Sequence, residues 1–345
     1  MLAIDFGGTK IAACTCTPSG RWIDSDLVST TPQLDADANL ALGVELGRRL
    51  VGDARLLAVG ACTFGIPGED GVVLSPAIRG WDRLPLRRRL EASFGAPAVV
   101  ATDVKLAAQA ELRHGALAGC DPAIYVNLGT GFAVGIVTGG TVLHGAHGAA
   151  GEVGYALPRR PPRAHRAPEH ADGRAGAGHD AEVLEDLVSG MGMARALAGE
   201  QNGPGGDGRT AADAARVADL FATAGTGDDG RAARVLDGFL EELSFHLVNL
   251  AIAIDPQRIA VGGGMVRAWG RIEGPLRRAL DEHVPFPPEL VLGAYPFDAP
   301  LRGAADLGLG LAAQVGTRAA PVSAGTTTVT TVTTVTTVET VETVR

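Results

Sequence analysis

Apolar residues open the chain in two short runs parted by glycine. MLAIDF runs into Gly7-Gly8, and IAAC resumes at Ile11. This pattern predicts a buried strand over residues 1–7, a sharp turn, and a hairpin partner over Lys10–Thr17. A third strand is predicted at Trp22–Ser29. From Asp35 to Val51 the apolar positions recur at helical spacing, and the acidic and asparagine residues at its start suit a helix N-terminus. Leu56–Cys62 then reads as a buried strand, Thr63–Gly68 as a loop, and Ala98–Ala101 as another strand. Thr102-Asp103 stands where an N-cap belongs, ahead of a helix over Val104–His114.

The same order begins again at Ile124. Asn127-Leu128-Gly129-Thr130-Gly131 echoes Asp5-Phe6-Gly7-Gly8-Thr9, each with an apolar strand before the turn and a second apolar segment after it. Such an internal repeat predicts two similar α/β halves facing each other across a cleft, with ligand loops at the strand ends. Further along, Ala181–Ala198, Ala211–Ala222, Arg231–Ile254 and Gly303–Val315 carry helical patterns, with a glycine-rich break at Gly203–Gly208. Arg258–Val261 reads as a strand ending in Gly262-Gly263-Gly264. Pro158–Asp180 has almost no core-forming residues and is expected to be an exposed loop. The tail from Thr326 repeats Thr and Val and is read as a flexible appendage, with an edge strand or self-association as the alternative. The expected division is a small N-terminal domain over 1–115, completed by a C-terminal helix near 303–318, a larger domain over 116–302, and a low-complexity tail over 319–345.

Composition narrows the function. With 345 residues, 46% of them hydrophobic, the chain is long enough for two domains with buried cores. A net charge of −9 argues against a nucleic-acid surface, which normally shows a basic stripe. No charged leader precedes an apolar run and no stretch is long enough to span a bilayer, so a cytoplasmic protein is expected. Cys14, Cys16, Cys62 and Cys120 lack CxxC spacing and sit in or beside apolar segments, which predicts buried reduced thiols. Lysine occurs at Lys10 and Lys105 alone.

A glycine turn leaving a strand lets backbone N–H groups approach phosphate oxygens, because no Cβ stands in the way. Two such turns across a cleft can hold one polyphosphate. Asp5, at the end of a buried strand, can hold Mg²⁺ directly or through water.

Taken together, Asp5–Lys10, the GIPG of Gly65–Gly68, the following GVVLSPAIRGW, Asp103, the LGTG of Leu128–Gly131, GEVG at Gly151–Gly154 and DPQRIAVGGG at Asp255–Gly264 resemble the ROK family. That family comprises bacterial sugar kinases and sugar-responsive repressors, and the resemblance covers residues 1 to 315. It implies a two-domain actin-like (ribonuclease-H-like) α/β fold with an interdomain cleft, binding ATP with Mg²⁺. Gly7, Gly8, Thr9 and Lys10 would belong to the first phosphate loop, Gly129, Thr130 and Gly131 to the second, and Gly262, Gly263 and Gly264 would approach the adenosine. Asp103 would be the base that accepts the acceptor hydroxyl's proton, unless it only caps its helix. Gly65, Pro67, Gly68, Thr102, Asp103, Lys105, Glu152 and Tyr155 would line the acceptor site. A homodimer is also implied.

The chain departs from the family at the acceptor. Thr102 precedes Asp103 where an asparagine is usual, and a hydroxyl spans fewer substrate oxygens than an amide. Tyr155 replaces the histidine that contacts sugar and ligates a structural zinc. No cysteine follows Cys120, so no zinc site is expected, although His165, His170 and His179 lie in the loop that stands in its place. The family's next glutamate has no assignable counterpart. Lys105 stands where a second asparagine is typical, either as a solvated cation or as part of an unusual acceptor pocket. An ATP-dependent kinase of a sugar or sugar-like polyol is the leading expectation, with a C7-cyclitol as an example of an atypical acceptor. An ordinary hexose or N-acetylhexosamine kinase and a non-catalytic sugar or nucleotide sensor remain the alternatives. A repressor is disfavoured by the acidic charge and by a chain that opens on the phosphate strand.

Overall fold

The computed structural model describes residues 1–30, 35–75, 77–159, 183–198, 217–219, 221 and 230–319. The histidine-bearing loop beyond Arg159, the Gly203–Gly208 break, most of the Ala211–Ala222 helix and the Thr/Val tail lie outside them.

The repeat seen in the sequence is realised as two five-stranded sheets of one topology. In the first, β1 (Leu2–Phe6), β2 (Lys10–Cys16) and β3 (Trp22–Ser29) form an antiparallel meander. Helix α1 (Ala36–Val51) follows, its first turn closed by the Asp35 side chain, which accepts from the Ala38 N–H at 3.0 Å. Strand β4 (Val59–Thr63) returns parallel to β1. A small hairpin of β5 (Ile66–Pro67) and β6 (Val72–Val73) and helix α2 (Leu86–Phe94) precede β7 (Ala98–Thr102), parallel to β4. The sheet order is β3-β2-β1-β4-β7. Helix α3 (Asp103–His114) then leads to the second sheet. There β8 (Ala123–Leu128), β9 (Phe132–Thr138) and β10 (Thr141–Val142) repeat the meander. Helices α4 (Leu184–Val188), α5 (Gly190–Ala198) and α6 (Gly230–Ile254) come next. Strand β11 (Arg258–Gly262), helix α7 (Trp269–His283) and strand β12 (Glu289–Leu292) complete the order β10-β9-β8-β11-β12.

The last helix, α8 (Ala299–Ala319), returns to pack on β1, β4 and β7 of the first sheet and along α3. Its approach is close because glycines meet there: a Cβ on Gly60 of β4 would fall 2.8 Å from the Gly308 nitrogen. β1 is thus buried on both faces, with Leu2, Ile4 and Phe6 in the core under α1, and Ala3 in the core with α8 residues Leu301, Ala304 and Ala305. That burial explains its continuous apolar run. The second core gathers β8, β9 and β11 against α6 and α7, through Phe239, Leu243, Leu247, Ile272 and Leu276.

Several elements differ from the sequence expectation. Residues 63–68 are not only a loop, since Ile66-Pro67 pair with Val72-Val73. Helix α2, helix α7 and strand β12 were not anticipated, and the helical pattern over 181–198 breaks at Ser189 into α4 and α5. The closing helix starts at Ala299 rather than Gly303. All four cysteines are buried and free. Among the described residues no helix is long and apolar enough to cross a membrane.

Candidate functional site

Because each glycine turn leaves the first strand of its own meander, the two turns stand at equivalent ends of the two sheets. They face each other: a Cβ on Gly8 would lie 3.9 Å from Thr130 Cγ2 and 3.7 Å from Ala77 Cβ. In the first turn the Gly7 N–H donates to the Lys10 carbonyl at 3.0 Å and Thr30 Oγ1 donates to the Gly7 carbonyl at 3.0 Å. In the second the Gly129 N–H donates to the Gly131 carbonyl at 3.1 Å, and the Gly190 N–H at the start of α5 donates to the Gly129 carbonyl at 2.9 Å. Gly7 to Lys10 and Gly129 to Gly131 are all partly open to solvent.

The third glycine run divides. A Cβ on Gly262 would strike the Tyr125 hydroxyl, so this residue faces the core. Gly263 takes φ +96° and presses on the Leu128 carbonyl, while Gly264 has nothing near its Cβ position and opens outward. The first two glycines are therefore required for packing between β11 and β8, and Gly264 is the one that leaves room for a ligand.

Asp5, next to last in β1, lies beside Cys62, its register partner on β4, and the Cys62 thiol donates to Asp5 Oδ1 at 3.2 Å. Burial raises the Asp5 carboxyl above its ordinary range, against the opposing thiol bond and the Lys10 charge. Burial, and then the neighbouring carboxylates, push the Cys62 thiol well up. Asp103 is the first residue of α3, with Thr102 as the cap residue. Thr102 makes no side-chain capping bond, whereas Asp103 Oδ1 accepts from the Val104 N–H at 2.7 Å. Its carboxyl is pushed up to about 7 by burial first and by the Asp5 charge second, with Glu152 adding and the Val104 bond and Lys105 opposing. Asp103 therefore lies in the electrostatic reach of both Asp5 and Glu152, with its carboxyl raised well above the ordinary aspartate range.

Lys105 lies in the first turn of the same helix and is 3% exposed, which excludes the solvated alternative. Its Nζ donates to the Gly148 carbonyl at 2.6 Å. Burial lowers its basicity, and Glu152 and Asp103 oppose that shift. Glu152, in the loop after β10, has a buried Oε1 without a hydrogen-bond partner, and burial raises its carboxyl while Lys105 opposes. An unpartnered buried carboxylate oxygen is costly unless a ligand donor completes it. The β5–β6 hairpin packs against the same loop. Gly65 takes φ +74°, the Gly68 N–H donates to the Gly71 carbonyl at 2.8 Å, and Ile66 Cγ2 would lie 3.1 Å from a Cβ on Gly148. Pro67 pairs with Val72 in that hairpin. Tyr155 closes the 3₁₀ turn Val153–Tyr155 and is partly exposed; burial, Glu185 and Glu152 raise its phenol to about 12.

Two residues were missed in the sequence. Cys62 meets Asp5 only because β4 pairs with β1 in that register. Glu185, in α4, accepts from the Phe132 N–H at 2.9 Å, and burial raises its carboxyl. A Cβ on Gly131 would come 2.6 Å from Glu185 Oε2 and one on Gly154 would come 3.2 Å from it, so those two glycines were its signal. This places a carboxylate next to the second glycine turn, although the sequence left the glutamate expected after the loop unassigned.

Two α/β halves of one topology, with their glycine turns opposed, are the two-domain actin-like fold of sugar kinases. The chain belongs to the ROK family, whose sequence profile matches residues 1–309. It is 30% identical to a glucokinase of Halalkalibacterium halodurans, over 82% of this chain and 85% of that one. It is equally 30% identical to the N-acetylmannosamine kinase of Shigella boydii serotype 18, over 90% of this chain and 98% of that one. Among solved structures, the ROK family glucokinase of Streptomyces griseus in complex with glucose and AMPPNP superposes with a TM-score of 0.68. That match covers 89% of this chain and 98% of the glucokinase at 24% identity, and it bears on the fold.

Proposed function

We propose that this protein is an ATP- and Mg²⁺-dependent kinase that phosphorylates a hydroxyl of a sugar or sugar-like polyol. The coarse reading, a sugar kinase, is supported by its glucokinase and N-acetylmannosamine kinase relatives. The observation that carries the finer one is Asp103, a buried carboxyl raised to about 7 in the field of Asp5, the residue two places before the first of the two opposed glycine turns. A base of that strength takes a hydroxyl proton as the oxygen attacks and is ionised often enough at working pH to do so.

The residues fit the nucleotide and the metal. The gap between Gly8 and Thr130 is one a larger side chain would fill, and phosphate oxygens suit the backbone N–H groups of both turns. Asp5 offers a carboxylate next to that gap, in keeping with Mg²⁺, which binds few protein oxygens and keeps its water and phosphate ligands. When bound, the metal supplies positive charge to the transferring phosphoryl group. Lys10 adds a cation at the first turn, and Gly264 borders the adenosine side. Thr102, Glu152, Tyr155 and the Gly65, Pro67 and Gly68 hairpin enclose the acceptor, whose hydroxyl completes Glu152 Oε1. The acceptor oxygen attacks the terminal phosphorus, the bond from that phosphorus to the bridging oxygen of ATP breaks, and the hydroxyl proton passes to Asp103.

The acceptor is read as atypical, for example a C7-cyclitol, because Thr102, Lys105 and Tyr155 alter the acceptor wall. A glucose or N-acetylmannosamine kinase is the second reading, favoured by the substrates that the relatives' names carry. We further propose a homodimer, and a division into domains at 115–116 with α8 completing the first. ADP release should be measured with glucose, N-acetylmannosamine, amino sugars and cyclitols, followed by product analysis. Turnover with one acceptor class is expected; tight ATP binding without turnover on any of them refutes the kinase reading.

A further inference from the structure

Lys105 is a buried cation at the acceptor wall to which the phosphoryl transfer itself assigns no step. Taking an ammonium out of water is unfavourable by several kcal/mol unless donors and charges compensate. Here the compensation is specific. One N–H is given to the Gly148 carbonyl at 2.6 Å, and the carboxylates of Asp103 and Glu152 lie within its field. Gly148 is central in the exposed loop between β10 and the Val153–Tyr155 turn. Among the described residues, the other backbone bonds of residues 144–150 stay within the loop and its continuation: Gly148 N–H to the Gly145 carbonyl at 3.4 Å, Ala150 N–H to that of His144 at 3.1 Å, and Glu152 N–H to that of Ala149 at 3.2 Å. The loop ends are tied to β9, through Leu143 N–H to Ile136 O at 2.7 Å and Val134 N–H to Gly151 O at 2.8 Å. The Lys105 bond is thus a link from the middle of this loop to α3, the helix that begins with Asp103.

We propose that Lys105 is a positioning residue: by clamping the Gly148 carbonyl to α3 it holds the 144–151 loop, and with it Glu152, at a fixed place relative to Asp103. The clamp crosses from the helix that carries the base to the loop that carries the acceptor carboxylate, and it does not involve the phosphate turns. Its loss therefore loosens acceptor binding and leaves nucleotide binding intact. This rests on the kinase reading for its catalytic consequence, but the loop's dependence on Lys105 does not.

The test is Lys105→Met, which keeps the apolar stem and removes the donor, beside Lys105→Gln, which keeps a shorter neutral donor and stands in if the methionine variant fails to fold. Amide exchange of the 143–152 segment in the full chain without ligands should rise about tenfold or more in Lys105→Met and less in Lys105→Gln, while segment 126–133 is unchanged. With glucose, N-acetylmannosamine and a cyclitol as probes, the acceptor KM should rise about tenfold. The ATP dissociation constant should stay within about twofold. Unchanged exchange of 143–152 in a folded variant overturns the clamp, as does a parallel rise across 126–133 with weakened ATP binding, which marks a general structural role. If the wild-type chain phosphorylates none of the probes, the kinase reading falls and the exchange arm still decides the clamp.

Discussion

The proton affinity of Asp103 makes the sharpest demand on the proposed mechanism. An aspartate at its ordinary 3.8 is ionised throughout the neutral range, and activity governed by it is flat there. Burial and the Asp5 charge bring Asp103 to about 7. The ionised fraction is then about 10% at pH 6 and about 90% at pH 8. The kcat/KM for ATP at subsaturating acceptor, which reports the enzyme before Mg-ATP binds, should therefore rise nearly tenfold across that interval. The limb in kcat should lie at lower pH, because a cation bound at Asp5 offsets the second cause of the shift. Asp103→Asn keeps the shape and removes the base, and turnover should fall about 10²- to 10⁴-fold while ATP binds as before. The assay is coupled ADP release with ATP varied at a fixed, subsaturating acceptor concentration, from about pH 5.5 to 9. A flat kcat/KM between pH 6 and 8, or Asp103→Asn retaining more than about a tenth of turnover, refutes the assignment. Linkage gives an independent check. A folded carboxyl raised above its unfolded value binds more protons in the native state, so its contribution to stability is full below about 4 and is lost as pH rises through about 7.

Asp5→Asn should raise the Mg²⁺ requirement for activity on the order of tenfold and move the Asp103 limb to lower pH; an unchanged Mg²⁺ titration removes Asp5 from the metal site. Gly8→Val should weaken ATP binding by about tenfold, since its methyls enter the gap to Thr130, whereas Gly8→Ala stays at ordinary contact distance; calorimetry with ATP distinguishes the two. Glu111, fully buried in α3, accepts from the Ala116, Ala294 and Tyr295 N–H groups at 2.7, 3.0 and 2.7 Å, so Glu111→Ala should cost about 3 kcal/mol in urea unfolding. A loss under about 1 kcal/mol contradicts that accounting.

The fold was legible because its signals are local and occur twice. Strand, glycine turn and strand at residues 1–17 recur at 124–138, and continuous apolar runs of strand length mark parallel strands buried on both faces. Helix α2, with three consecutive arginines, and the short strand β12, with one buried residue, carry too little pattern to stand out. The glycine turns of the candidate site were legible for the same reason, since a turn's glycines are adjacent in sequence. The site's side-chain relations were not. Cys62 reaches Asp5 through strand register, Glu185 reaches Phe132 through the packing of α4, and Lys105 reaches Gly148 across the distance from α3 to a loop beyond the second meander.

The sequence by itself determined the family, the two-fold repeat, the two glycine turns and the identity of the carboxylates at Asp5, Asp103 and Glu152, because each is written in contiguous residue types. Only the tertiary structure decided what those groups experience. Desolvation and the mutual field of Asp5, Asp103, Lys105 and Glu152 depend on distance and burial, and residues far apart in the chain supply both. That is why Asp103 moves to about 7 and why Lys105, equally compatible in sequence with a solvated cation, is buried on the Gly148 carbonyl.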